Sequence, residues 1–166
     1  MTHLSMDPLT LGHTAITLIG IVTGLVVLAG LLEGRLPRSW NTLFLLFTVL
    51  TSVTGLAFFP NNHPVTPGQI VAVISLVDLA IALYALYGRR LEGSWRAIYV
   101  VTGIIALYFN VFVLVVQTFA KLPPLKAIAP GNPPSGPVFM AVQAIVLLAF
   151  IYFGWKAKRD FKVLIK

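Results

Sequence analysis

The sequence contains no cysteine and few charged residues. Without cysteine, the chain can form no disulfide, thiolate metal site, iron–sulfur cluster or cysteine nucleophile. Only 10% of the 166 residues are charged and 58% are hydrophobic, whereas a soluble domain carries about 25% charged residues. A chain of this length has more apolar residues than a water-surrounded core can bury. The composition therefore predicts that much of the apolar surface faces lipid.

The short motifs of common enzyme families are also absent. The sequence contains no HExxH, GxSxG, P-loop or GxGxxG pattern and no paired-carboxylate motif. The net charge is +7, but the basic residues are divided among the connections between apolar segments, which is not the pattern of a nucleic-acid-binding surface. We therefore expect a protein that is not an enzyme and does not bind nucleic acid.

Five apolar segments are long enough to cross a bilayer. A hydrocarbon core of about 30 Å requires about 20 helical residues. The segments comprise residues 11–32, 40–59, 69–88, 96–119 and 137–155, and none has an internal proline. The alternating ten-residue segments of membrane β-barrels are absent. The sequence predicts one integral membrane domain, residues 1–166, folded as an all-α bundle of five transmembrane helices.

The basic residues predict the orientation of the bundle. Ten of the twelve Lys and Arg residues lie after the first segment, after the third segment or in the C-terminal tail, and the other two follow the fourth segment. Because cytoplasmic loops carry an excess of Lys and Arg, we expect the N-terminus outside and the C-terminus inside. Arg35, Arg38, Arg89 and Arg90 are weak candidates for binding anionic lipid headgroups, since the orientation rule alone also explains them.

One acidic residue, Asp78, lies inside an apolar segment. A carboxylate at the bilayer centre costs about 2.5–3.5 kcal/mol on insertion scales, so Asp78 should face the bundle interior and pair with a polar group or be protonated. Asn110 lies at a similar depth on the next segment, and we predict a hydrogen bond between the two side chains. Asp78 is interpreted either as a structural carboxyl or as a functional group, namely a proton-relay carboxyl, a cation site or a hydrogen-bond partner of a ligand.

Other polar and small residues lie at helical spacing in each segment. The predicted intramembrane polar cluster consists of Asp78, Asn110, Ser75, Ser52 and Gln143. In the first segment, Gly20 and Gly24 form a GxxxG pair, which lets helix backbones approach closely. We expect the polar faces to leave a polar cavity in the outer half of the bundle.

Two histidines and a glutamine on the outer side are weak candidates for a metal or haem site. His13, His63 and Gln117 map to the outside or its interface, but their spacing matches no ligand motif. A b-type haem usually takes histidines from facing helices within a bundle. No cofactor is predicted, although haem or a metal remains an open alternative.

The longest connection, residues 120–136, contains five prolines. We expect it on the outer side, ordered against the bundle, because its apolar residues are poorly suited to a free linker. A partner-docking strip and a solvated linker are the alternative interpretations.

Several segments carry a resemblance to a known group of proteins. They are YFNVFVLVVQ at 108–117, Leu122-Pro123, Ala129-Pro130, His13, and TSVTG at 51–55. Together they resemble a group of small bacterial five-span inner-membrane proteins that has no assigned activity. The resemblance implies a multi-pass protein of the bacterial inner membrane, and it assigns no functional residue.

These observations favour a non-catalytic role. The predicted function is an accessory or structural subunit of a larger membrane complex, or a homo-oligomer, that binds lipid or a small hydrophobic ligand. The alternative is a small proton-coupled transporter or channel that uses Asp78. A haem- or metal-binding electron carrier is the third interpretation.

Overall fold

A computed structural model of the protein describes residues 8–57 and 65–162. Within these ranges the regular secondary structure is helical, and there is no β-strand. The five predicted long helices are confirmed, and each is long and apolar enough to cross a membrane. They are α1 (Pro8–Leu32), α2 (Arg38–Ala57), α3 (Pro67–Leu83, continued by a π-helical turn over Tyr84–Gly88), α4 (Trp95–Lys121) and α6 (Pro137–Asp160). Residues 58 and 59 of the predicted second segment lie outside the described residues.

The ends of the helices follow local sequence signals. Thr66 caps α3: its Oγ1 accepts a hydrogen bond from the Gln69 amide at 3.3 Å, and Gln69 Oε1 accepts one from the Thr66 amide at 2.8 Å. After α1, Gly34 adopts a φ of +78°, a conformation that favours glycine at a helix C-terminus. Pro67 and Pro137 each occupy the first turn of their helix, where no backbone N–H is needed.

Four helices form a closed ring. α1 packs against α2, α2 against α3, α3 against α4, and α4 against α1, while α2 and α4 face each other diagonally across the interior. α6 packs outside this ring against α4 and α1. We call the end at which α1 and α3 begin the upper end. It is the end predicted to face the outside of the cell.

The lower half of the ring is filled with side chains. The largest fully buried ones include Leu31, Phe44, Leu79, Tyr99 and Leu107, one or more from each ring helix. The Tyr99 hydroxyl donates a hydrogen bond to Asn41 Oδ1, which joins α4 to α2 across the ring. The apolar core of the protein therefore lies in the lower half.

The proline-rich connection contains a short helix that was not predicted, α5 (Pro123–Ile128). Ala129, which follows it, is fully buried, and the Ser135 hydroxyl donates to the Pro130 carbonyl at 2.7 Å. Leu122 and Ile128 remain half-exposed. The segment is thus partly packed against the bundle, and its location outside the cell stays a prediction.

Candidate functional site

A cavity of about 630 Å³ occupies the upper half of the ring. All four ring helices line it, and on α4 the lining extends from Phe109 to Lys121 and on to Leu122. From Asn110 to Lys121 the helix rises about 16 Å, roughly half the thickness of a bilayer core. The volume is within the range of about 300–1,000 Å³ found for small-molecule sites. A cavity is therefore present in the half of the bundle where the sequence predicted one, but most of its lining surface is apolar.

The floor of the cavity is polar. Ser52, Ser75 and Asn110, three members of the predicted polar cluster, line the cavity from α2, α3 and α4, and all are buried. The Asn110 side-chain amide donates to Thr48 Oγ1 at 3.1 Å. Because α2 and α4 are diagonal in the ring, this hydrogen bond crosses the interior below the cavity.

Asp78 lies one helical turn below Ser75, next to the floor but not in the cavity lining. The predicted hydrogen bond between Asp78 and Asn110 is not formed, because Asn110 turns toward the ring axis and bonds to Thr48 instead. Asp78 is only 9% exposed. Its Oδ2 is buried and accepts no hydrogen bond from the described residues.

The upper part of the cavity carries His13 on α1 and Gln117 and Lys121 on α4. His13 Nδ1 lies 2.7 Å from Thr54 Oγ1. The Thr54 hydroxyl already donates to the Leu50 carbonyl at 2.6 Å, so His13 Nδ1 is the donor in this pair. Gln117 and Lys121 are one turn apart on the same face of α4.

The structure does not bring Gln143 into this site. Gln143 lies on α6, outside the ring, and its Nε2 donates to the Phe112 carbonyl of α4 at 3.3 Å. Its Oε1 is buried and has no hydrogen-bond partner within the described ranges. The polar cluster predicted from the sequence is therefore divided between the ring interior and the α4–α6 contact.

The histidine candidates do not assemble into a metal site in the part of the chain that is described. His63 lies outside the described residues. Among residues 8–57 and 65–162, no three His, Asp or Glu side chains are grouped closely enough to hold a metal ion. His13 and Gln117 instead share the wall of the cavity.

The four arginines predicted as lipid contacts are exposed at the lower end. Arg35 forms an ion pair with Glu33 at 2.6 Å. The Arg89 guanidinium lies 5.5 Å from the centre of the Trp95 ring, a cation–π distance. A role for Arg35, Arg38, Arg89 and Arg90 in headgroup binding stays a prediction.

Sequence reasoning missed Lys121 as a cavity residue, because it was counted only as a charge that sets orientation. The spacing of the polar residues on α4 indicated this role. Asn110, Gln117 and Lys121 are seven and four residues apart, which places them on one helix face. A polar face that continues to the end of a transmembrane helix indicates a cavity that opens at that end.

No family model, curated protein or solved structure matches this chain. What the site can do follows from its own chemistry. Its lining is mostly apolar, with polar groups at the floor and at the upper end. This combination is typical of a pocket that buries an apolar ligand and fixes its orientation through a few polar contacts.

Proposed function

We propose that this protein is a non-catalytic integral membrane protein that binds a small amphipathic ligand between helices α1 to α4. The observation that carries the proposal is the cavity of about 630 Å³ in the upper half of the ring. In the bacterial inner membrane, with the N-terminus outside, this cavity would lie in the outer leaflet half of the bundle.

The packing of the lower half supports ligand binding rather than movement of a ligand through the ring. Phe44, Leu79, Tyr99 and Leu107 are almost completely buried between the floor of the cavity and the lower end. A ligand that enters the cavity in this conformation therefore meets a filled core below it. Such a pocket is suited to holding a ligand.

The proposal includes a role as an accessory subunit or a homo-oligomer. α6 packs against the ring on one side only, and just 6% of its most apolar stretch is buried. Most of its apolar side chains are therefore free to contact lipid or other membrane subunits.

The test fills the cavity with a side chain. Ala72 lines the cavity and is buried, whereas Ala80 on the same helix is exposed on the outside of the ring. Ala→Phe at position 72 fills the cavity, whereas Ala→Phe at position 80 adds the same aromatic ring to the outside of α3. A comparison of the two variants therefore isolates the effect of filling the cavity. Each protein is purified in mild detergent, and the small molecules it carries are identified and quantified by mass spectrometry.

We expect the wild-type protein and Ala80→Phe to carry the same small hydrophobic molecule in similar amounts. Ala72→Phe should carry at least about tenfold less, because the added phenyl ring occupies the site, and a tenfold loss corresponds to about 1.4 kcal/mol of binding free energy. Equal amounts in all three proteins, with Ala72→Phe correctly folded, would show that the cavity is not the binding site.

A second candidate function, proton-coupled transport, is favoured by one observation. Asp78 Oδ2 is buried without a hydrogen-bond partner among the described residues, one turn below the cavity floor. An intramembrane carboxyl in such a position is a candidate proton site. Wild-type protein in proteoliposomes would then move protons, as reported by a trapped pH-sensitive dye, and Asp78→Asn would abolish the signal without changing folding.

A further inference from the structure

We propose that the ligand of the cavity is an amphiphile with a single carboxylate group, which Lys121 binds at the upper end while the apolar chain extends toward the floor. The inference rests on the proposed ligand-binding function and names the chemical class of the ligand.

Most hydroxyl groups of the lining have no proton to give to a ligand. Five of them donate to a backbone carbonyl of their own helix, four residues earlier, at distances between 2.7 and 3.1 Å: Thr14, Thr17, Thr51, Ser52 and Thr118. Such back-bonding leaves only oxygen lone pairs directed at the cavity. One of the two Asn110 amide N–H groups is likewise committed to Thr48. The wall is therefore short of donors over most of its surface.

Donors are concentrated at the upper end. The lining contains Lys121, and it contains no Asp or Glu. Within the described residues, Lys121 forms no ion pair, and neither Lys121 nor Gln117 makes a side-chain hydrogen bond. The two side chains are one turn apart on α4 and together offer an ammonium group and an amide N–H to the same region.

An unpaired cation above an apolar pocket selects for an anion whose remaining part is apolar. Between the two polar ends, the wall is formed by side chains such as Val71, Ala72, Val113 and Leu114. Burying a hydrocarbon chain against them is favourable, at about 25 cal/mol for each Å² of apolar surface. The charge on the headgroup then decides where the ligand is held.

The lining favours a carboxylate over a phosphate. A phosphate monoester carries about −1.5 to −2 charges at pH 7, more than one ammonium group can neutralise. No arginine lines the cavity, and Lys121 is the one basic side chain of its lining besides His13. One ammonium group and one amide match the single charge and two oxygens of a carboxylate.

The experiment measures binding of radiolabelled laurate to the protein in phosphatidylcholine nanodiscs, with empty nanodiscs subtracted. Unlabelled laurate, methyl laurate, dodecyl phosphate and dodecyltrimethylammonium compete, so that the headgroup changes while the chain is constant. The variant is Lys121→Gln. The matched control is Lys126→Gln, which removes the same charge from α5, a few residues away, where the side chain does not line the cavity.

We expect laurate to compete at least about tenfold better than methyl laurate or dodecyltrimethylammonium, and better than dodecyl phosphate. Lys121→Gln should weaken laurate binding about tenfold and leave methyl laurate unchanged, while Lys126→Gln should bind as the wild-type protein does. Both variants change an exposed side chain and should fold normally.

Two results would overturn the carboxylate assignment and leave the proposed function standing. The first is equal competition by laurate and methyl laurate, with Lys121→Gln having no effect. The second is tighter binding of dodecyl phosphate than of laurate. If instead no amphiphile binds the wild-type protein, and Ala72→Phe carries the same molecules as the wild type, the ligand-binding function itself is wrong.

Discussion

At Asp78, the cost of burial is not offset by hydrogen bonds to the described residues. The side chain is 9% exposed, and Oδ2 has no partner. A buried polar group that lacks a partner costs about 1–3 kcal/mol. A buried polar group without a partner calls for an explanation in a native structure, and a role other than folding is one such explanation.

Replacing Asp78 by an apolar residue of similar size should therefore not destabilise the fold. We expect Asp78→Leu to leave the free energy of unfolding unchanged or to raise it by up to about 2 kcal/mol, because an unsatisfied polar group is removed. Reversible unfolding in mixed micelles, followed by circular dichroism, measures the change. A loss of about 0.6–2 kcal/mol, the value for a broken interhelical hydrogen bond, would show that Asp78 has a partner after all.

The residues of the site could be predicted from the sequence only in part. The depth of each residue in the bundle can be estimated from its position along its helix. This estimate places Asp78 and Asn110 at similar levels on neighbouring helices. The direction of each side chain depends on how each helix is rotated in the ring, and depth contains no information on rotation. Asn110 faces the ring axis, where Thr48 of the diagonal helix is within reach. The predicted partner of Asn110 was therefore wrong.

At the scale of the element, the GxxxG pair of α1 has two unequal members. A Cβ atom added to Gly24 would lie 2.6 Å from Leu107 Cδ1 and 2.8 Å from Phe44 Cδ2, and both of those side chains are almost fully buried. A Cβ atom added to Gly20 would make ordinary contacts of 3.6 Å with Phe47. Gly24 is thus a position at which α1 packs tightly against side chains of α2 and α4.

The two glycines provide a matched pair of variants. Gly24→Ala should lower the free energy of unfolding by about 1–3 kcal/mol, as overpacking of a filled core does. Gly20→Ala adds the same methyl group in the same helix and should lower it by less than about 0.5 kcal/mol. Thermal unfolding of the two variants in one detergent compares them. Equal effects would mean that α1 is not held against Phe44 and Leu107 as described.

The long helices were predictable because length and hydropathy alone identify a membrane-spanning segment. α5 was not predicted, because the prolines of this connection were interpreted as helix breaks. Pro123 and Pro124 occupy the first turn of α5, where proline is tolerated since its missing N–H would have no intrahelical partner. A proline pair followed by residues without glycine is compatible with a helix start as well as with a loop.

For the whole molecule, the distribution of charge predicts how the bundle is inserted. Ten of the twelve Lys and Arg residues are assigned to the lower end. We expect a green fluorescent protein fused to the C-terminus to be fluorescent and an alkaline phosphatase fused there to be inactive. The reverse result would place the cavity on the cytoplasmic side. Fusions after residue 130 serve as the control, since there the fluorescent protein should be dark and the phosphatase active.

The closed ring itself was not predictable from the sequence. Five segments of suitable length can pack in many orders, and hydropathy does not distinguish a helix inside the bundle from one at its edge. α6 is as apolar as the others, but it buries little of its surface. In the structure, α1 to α4 place polar side chains around one cavity, whereas α6 lies outside the ring.

The four helices that enclose the cavity are consecutive in the chain, and α6 follows them. Synthesis proceeds from the N-terminus onward, so α1 to α4 leave the ribosome before α6. The contact between α4 and α1 can therefore close the ring, and complete the walls of the pocket, while the ribosome is still making α6. Under the proposed function, a lipid-soluble ligand in the membrane would meet a finished pocket on the nascent chain before α6 packs against the ring.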